Sequence, residues 1–436
     1  MHEKGGADLP ARILVRGTGG TPDPSWGEDP MDGAALDVIH ADGDDHVPIP
    51  PGRYHVTVSH GFEYTLYEAD VTVAAGQSVE LQAELEHVVD TRGWISADLH
   101  VHAVPSPDAP ALLTDRVRSL AASGVEVAVA TDHNVVTDYS LAIRERGLGR
   151  WLASIVGDEV TTRGVPLGHF NVFPLAPGSE PVPFDHIAPT ALVASARAAP
   201  PTDRAKVVQL NHPRMGSIGY LELLHFDPRD VGAWRARSPL SETDFDAIEV
   251  FNGDHYADIP EVERVMRDWY ALMDAGVRAT ATGNSDSHKL TYHECGVPRN
   301  MVLVGDDDPS RFDERAFVDA VRAGHVVVSS GVFVRIDVGG HGPGDTVGAG
   351  DQRVHVTVDA PPWVDVSKVE IVRGGETLHT WNGPFAHGVR RLDATVSATL
   401  APGDWVISIA RGDGEMKFLP RAGARPFGFT NAVWVK

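Results

Sequence analysis

The hydrophobic pattern divides the chain into three zones. From about Leu14 to Trp94, short runs alternate apolar and polar residues with a period of two: "ARILVRG", "GRYHVTVSHG", "EADVTVAAG" and "SVELQAELEH". Gly and Pro turns separate them, as short antiparallel strands require. The same alternation returns after Val332 in "VFVRIDVGG", "RVHVTVDA", "SKVEIVRGG" and "GDWVISIARGDG". The pattern predicts two small β-sandwich-like domains, residues 1–93 and 331–436, at either end of the chain.

Residues 94–330 have a different rhythm. Apolar, β-rich runs "WISADLHVH", "VEVAVATDHN", "SIVGDEV", "KVVQLNHPR", "DAIEVFNGDH", "RATATGNSDSH" and "NMVLVGDDD" alternate with helical text. "APALLTDRVRSLAASG" sets Leu112, Leu113, Val117, Leu120 and Ala121 on one face. "IPEVERVMRDWYALMDAG" does the same with Val262, Val265, Met266, Trp269, Leu272 and Met273. Ser106 or Asp108 is expected to cap the first helix, with Gly124 and Gly276 just past the two helix ends. This alternation predicts parallel βα units and an α/β fold. Every strand ends in ionisable residues, which describes a barrel whose active face lies at the C-terminal strand ends. Seven strands can be counted, one short of the usual eight, so closure is an inference.

Those strand ends carry the chemistry. Residues two apart on a strand face the same way, so His100 and His102, with Asp98, are expected on one face where two imidazoles can share a cation. An isolated pair of this kind is usually structural. Here it is followed by Asp132 and His133 in "ATDHN", Asp158 and Glu159 in "GDEV", His212 in "LNHPR", and Asp286 with His288 in "GNSDSH". Imidazoles and carboxylates converging in this number are costly to bury without a cation. Mixed His and carboxylate ligands suit zinc, manganese or iron.

With "DLHVH", the Asp of "SPD", "TDHN", a strand ending in Glu, "NHP" and "SDSH" in this order, residues 95–330 resemble the PHP (polymerase and histidinol phosphatase) metal-dependent hydrolases, in particular the CehA/McbA branch. The resemblance implies a distorted (β/α)7 TIM-like barrel holding one to three divalent metal ions. It maps ligands onto His100, His102, Asp108, His133, Glu159 as the metal bridge, His212, Asp286 and His288. The acid at Asp108 falls one residue later than the commonest spacing. In "EVFNGDH", Glu249, Asn252 and His255 compete for a further ligand position. The flanking β domains resemble accessory modules of secreted members.

Composition narrows the substrate. With 61 acidic against 37 basic residues and a formal charge of −24, the chain repels polynucleotides and anionic membranes. An anionic substrate would need positive charge supplied locally, and Arg214 in "NHPR" and Arg299 in "GVPRN" are the candidates, although either could equally pair with a neighbouring acid. His169 is the leading candidate to protonate a leaving group, ahead of His255 and His293. The single Cys295 closes no internal disulfide and has no recognisable partner base nearby. No apolar run has membrane-spanning length, so the chain reads as soluble, with a periplasmic or secreted location open if an export signal has been removed.

A bound divalent cation makes hydroxide available at neutral pH, so hydrolysis of a small-molecule ester is the expected reaction. A phosphoesterase acting on a monoester or diester is the first reading. A carboxylic or carbamate ester or amide hydrolase is the alternative, and a noncatalytic binding protein with a scaffold barrel is the alternative of another class. Oligomeric state is not readable from the sequence.

Overall fold

The computed structural model describes the chain except residues 7, 28–33, 44, 165–167, 292 and 420–422, and gives only the backbone at 34 and 35. The N-terminal zone forms a five-stranded antiparallel sheet in the order Ala34–Ala35, Val38–Ala41, Ala11–Gly17, Gly52–Ser59, Tyr67–Val73. Its core includes Leu9, Val15, Ile39, Tyr54, Val56 and Val58. In the C-terminal zone a three-stranded sheet, Phe333–Val338, Gly350–Asp359 and Arg390–Leu400, shares one apolar core with strands Lys368–Arg373, Trp405–Arg411 and Phe427–Thr430.

The middle zone is built from two curled sheets that face each other. The first contains Ala153–Val156, Val127–Ala130, Trp94–Val101, Arg299–Leu303 and Val326–Ser330. The second contains Asp158–Thr161, His169–Phe173, Val207–Leu210, Ala247–Asn252 and Thr280–Asn284. Among the described residues no continuous ladder closes them into the expected (β/α)7 barrel. Nor is the sheet purely parallel. Arg299–Leu303 runs antiparallel to Trp94–Val101, and His169–Phe173, a strand absent from the periodicity reading, runs antiparallel to both its neighbours. The run "SIVGDEV" is two strands, because the chain changes sheet at Gly157. A Cβ there would lie 2.8 Å from the Ala130 carbonyl oxygen.

Side-chain amides stitch the open seam. Asn300 exchanges hydrogen bonds with the backbone of Gly283 at 3.0 and 2.8 Å. Asn431 does the same with Ala281 at 2.7 and 2.9 Å. Asn284 accepts from the Leu99 amide at 3.1 Å. These contacts satisfy backbone groups that would otherwise be buried without partners. The first sheet also continues past position 330, since Val327 pairs with Thr430 and Val328 with Phe429.

The two amphipathic helices form at Leu113–Ala122 and Ile259–Asp274, with Gly124 and Gly276 in the left-handed conformation just beyond them. The expected cap does not form: the first helix starts at Leu112 without a side-chain cap, and Ser106 and Asp108 belong to the site described next. Between Leu175 and Pro201, a helix Pro189–Ala198 buries Leu192, Val193 and Ala196. None of the helices among the described residues is long and apolar enough to cross a membrane.

Candidate metal centre

A β-bulge aims the first pair of histidines. Asp98 pairs with Ala128 but Val101 pairs with Ala130, so one extra residue is inserted in the Trp94–Val101 strand. The insertion shifts the alternation of faces. Ile95, Ala97 and Leu99 join an apolar cluster drawn from both sheets, and beyond the bulge His100 and His102 also face the second sheet. Asp98 is left on the other side, where its carboxylate accepts from Ser285 Oγ at 2.5 Å and from the Gly296 amide at 2.9 Å. The simple period-two expectation that grouped Asp98 with the two histidines is thereby corrected.

Glu159 lies at the centre. Its Oε1 is 3.2 Å from His100 Nε2, 3.1 Å from His169 Nδ1 and 3.4 Å from His212 Nε2. Its Oε2 is 3.3 Å from His102 Nε2 and 2.8 Å from His133 Nδ1. Asp286 Oδ1 approaches the Nε2 atoms of both His100 and His102 at 3.1 Å. His288 Nδ1 is 3.6 Å from the same oxygen. Asp108 reaches in from a loop, 3.3 Å from His133 Nε2 and 3.7 Å from His288 Nε2. The sets His102/His133/His288, His100/His102/Glu159, His100/His212/Asp286 and His133/Glu159/His169 each present ligand atoms within 4.8 Å of one another. All eight residues expected as ligands therefore lie in one neighbourhood, and His169 joins them.

Hydrogen bonds around the cluster fix which nitrogen faces inward. His100 Nδ1 lies 3.0 Å from Glu249 Oε1, and a carboxylate only accepts, so Nδ1 carries the proton. Ser106 Oγ donates to Asp132 at 3.0 Å and must therefore accept from His102 Nδ1, also at 3.0 Å. His288 Nδ1 donates to the carbonyl two residues back, Asp286 O, at 2.8 Å. In each case Nε2 is the nitrogen left facing the centre, the arrangement by which an outer partner orients a metal-binding imidazole. Asn211 donates to Glu159 Oε1 at 2.9 Å, and Asn252 to Asp286 Oδ2 at 3.0 Å. The close approach that brings Asn252 to Asp286 uses Gly253, where a Cβ would fall 2.1 Å from the Ser285 carbonyl oxygen.

The centre suits a cation better than a proton network. His100, His102 and Glu159 are fully buried, yet His100 Nε2 and Glu159 Oε2 have no aligned hydrogen-bond partner. Leaving such atoms unpaired is costly, and a divalent ion between them would satisfy both. Burial disfavours the charged form of His100, but Asp286, Glu159 and Glu249 outweigh it and hold its pKa well above the ordinary imidazole value. At Glu159 burial pushes the other way too, and His100, His169 and His133 hold the carboxyl well below its usual range. His212 and Asp286 adopt positive φ values of 24° and 51°. Backbone strain of this kind, held by surrounding structure, concentrates at functional sites.

The structure takes the two arginines elsewhere, correcting the expectation that they supply charge to the substrate. Arg214 makes a bidentate pair with Asp268 at 2.6 and 2.8 Å, and its other donors reach Glu222 and the carbonyls of Leu221 and Phe226. Arg299 is buried against the carbonyls of Gly296, Gly124 and Ser123, with Phe62 beneath it. Both guanidinium forks are occupied by the protein. His255 and His293 are outside the four ligand sets; His293 Nε2 lies 3.7 Å from Asp254. Glu249, one of three competing readings of "EVFNGDH", is the one that touches an inner histidine. Ser106, Asn211 and Asp132 complete the supports. Single Ser and Asn residues carry no spacing signal, so only the fold could reveal them.

No family model matches the chain, and neither does any curated protein. Among solved structures, it is similar to a two-domain protein from Bacteroides vulgatus containing a predicted PHP-like metal-dependent phosphoesterase. That match has 17% identity over 83% of this chain and 100% of the other, with a TM-score of 0.40. A second, from Bifidobacterium adolescentis and named as a candidate metal-dependent phosphoesterase, has 15% identity over 46% of this chain and 90% of the other, with a TM-score of 0.31. The likeness is coarse, and the functional reading rests on the side chains.

Proposed function

We propose that the chain is a metal-dependent hydrolase of small-molecule esters, with phosphoesters as the preferred class. In this reading residues 94–330 carry the chemistry and residues 1–93 and 331–436 are flanking β domains. The observation that supports it is Glu159, whose two carboxylate oxygens are each faced by imidazoles from several strands, so that adjacent ligand sets share one bridging residue. Cations held by those sets would polarise the ester and supply a water acidic enough to attack at neutral pH.

The chain's own residues do the rest. Glu249, Ser106 and the Asp286 carbonyl engage Nδ1 of His100, His102 and His288 and so aim their Nε2 atoms inward. Asn211 and Asn252 hold the two central carboxylates. At the partly open side, His133, His169, His288 and Asp108 line the approach for substrate. His169 is placed either to complete a ligand set or to give a proton to the leaving group.

A carboxylic or carbamate ester substrate is the second reading. It is favoured by the engagement of Arg214 and Arg299 elsewhere, which leaves neither fork for a phosphate. Chromogenic phosphate and carboxylate esters, assayed after chelation and again with Mn²⁺ or Zn²⁺ restored, separate the two. Metal-restored hydrolysis of phosphoesters is the expected result. Stoichiometric metal without hydrolysis of any ester would leave a binding protein instead.

A further inference from the structure

Arg116, on the helix Leu113–Ala122, is fully buried, and its acceptors are unusual for a buried cation. Nε donates to the His102 carbonyl at 2.7 Å. Nη2 donates to the Ser287 carbonyl at 3.1 Å, and Nη1 to Ser287 Oγ and Cys295 Sγ, both at 2.9 Å. With Ser119 Oγ a further acceptor for Nη1 at 3.4 Å, the acceptors are neutral carbonyls, hydroxyls and a sulfur, while Asp132 feels the charge only at longer range. Burying a guanidinium against such acceptors costs free energy that a neutral, well-packed residue would avoid.

The acceptors share one property. His102 is itself an expected ligand, and Ser287 separates Asp286 from His288. The His102 amide also donates to the Ser287 carbonyl at 3.0 Å, so the two segments meet there and Arg116 clamps the junction. The rings of these same two segments, His102 and His288, stack with centroids 4.1 Å apart. Two imidazoles this close repel whenever both are protonated, and nothing in the rings themselves sets their spacing. A planar fork with donors in fixed directions can set it; the ammonium of a lysine is a point charge with rotatable donors and imposes no such directions.

We propose that Arg116 is a positioning residue for the metal centre: by bridging the backbone of His102 and Ser287 it fixes the separation of the His102 and His288 rings, and hence the geometry and affinity of the His102/His133/His288 set. This rests on the metal-centre reading above. The fork acts on ligand-bearing backbone from outside the ring of ligands and touches neither substrate nor cation.

The test uses the full chain, stripped of metal and titrated with Co²⁺ against a chromogenic chelator, with the visible absorption of the bound ion as a second readout. R116K keeps the charge and loses the fork. It is expected to weaken the affected Co²⁺ site roughly 10-fold or more and to alter its visible bands. R116Q is expected to weaken it further, and S287A, which removes the hydroxyl between Arg116 and the Lys289 and His293 carbonyls but leaves the Ser287 carbonyl to the fork, less. Melting of the stripped proteins by circular dichroism shows which variants are folded. Should R116Q fail to fold, R116K alone decides. A folded R116K with the wild-type Co²⁺ affinity and spectrum overturns the proposal. If the wild-type chain binds no Co²⁺, it is the metal-centre reading that falls instead.

Discussion

His100 and Glu249 meet through Nδ1 and Oε1 at 3.0 Å, both fully buried, between one strand of each curled sheet. Glu249 Oε2 also accepts from the His212 amide at 2.8 Å, so one carboxylate orients two expected ligands. Replacing Glu249 with Ala should therefore lower metal affinity by roughly 10- to 100-fold without removing any ligand. Competition with a chelator of known affinity measures this. Unchanged affinity would show that the contact with His100 has no orienting role.

Glu159→Ala tests the centre itself. Removing the shared carboxylate should abolish turnover and reduce the metal bound per chain, because both its oxygens face imidazoles. The N-terminal β sheet has its own apolar core, and the C-terminal sheets pack in a large apolar core, so both should keep their circular dichroism signature. Metal analysis that finds full stoichiometry and normal rate in this variant would refute the assignment.

Arg214 is expected to matter for stability and not for substrate. Its pair with Asp268 is almost fully buried, with side-chain exposures of 9% and 2%. Arg214→Gln leaves a buried carboxylate unpaired and should cost about 3 kcal/mol in denaturant unfolding. The affinity for a phosphoester substrate should be unchanged. A selective rise in KM for phosphoesters, with stability intact, would return Arg214 to the substrate.

Glu126 makes stability depend on pH. Burial pushes its carboxyl from 4.5 up to about 8, with Oε2 accepting from the Ser96 amide at 2.7 Å. The folded state thus keeps a proton that the unfolded chain releases above pH 4.5. Stability falls as pH rises from there to about 8 and then levels off. Glu126→Gln keeps an acceptor for Ser96 and removes the titration. Between pH 5 and pH 9 the urea midpoint of the wild type should drop by more than that of the variant. Parallel profiles would mean that Glu126 ionises as readily folded as unfolded.

The ligands themselves could be found in the sequence because their signal is local. Apolar runs ending in His, Asp or Glu mark strand ends, and "HVH", "TDHN", "NHP" and "SDSH" stand out without any knowledge of the fold. The three compositional zones and the two long amphipathic helices were visible for the same reason: their periodicity is carried by neighbouring residues.

What closed the site was not local. The bulge between Asp98 and Val101 that turns His100 and His102 inward depends on pairing with another strand. So does the antiparallel course of His169–Phe173, which places His169 beside Glu159. The fate of Arg214 and Arg299 was decided by which acceptors the folded chain brought within reach. Residue type and spacing are properties of the chain and name the groups able to bind a cation. Facing, partner and tautomer arise only when segments distant in sequence come into contact, and those contacts select which of the named groups act together.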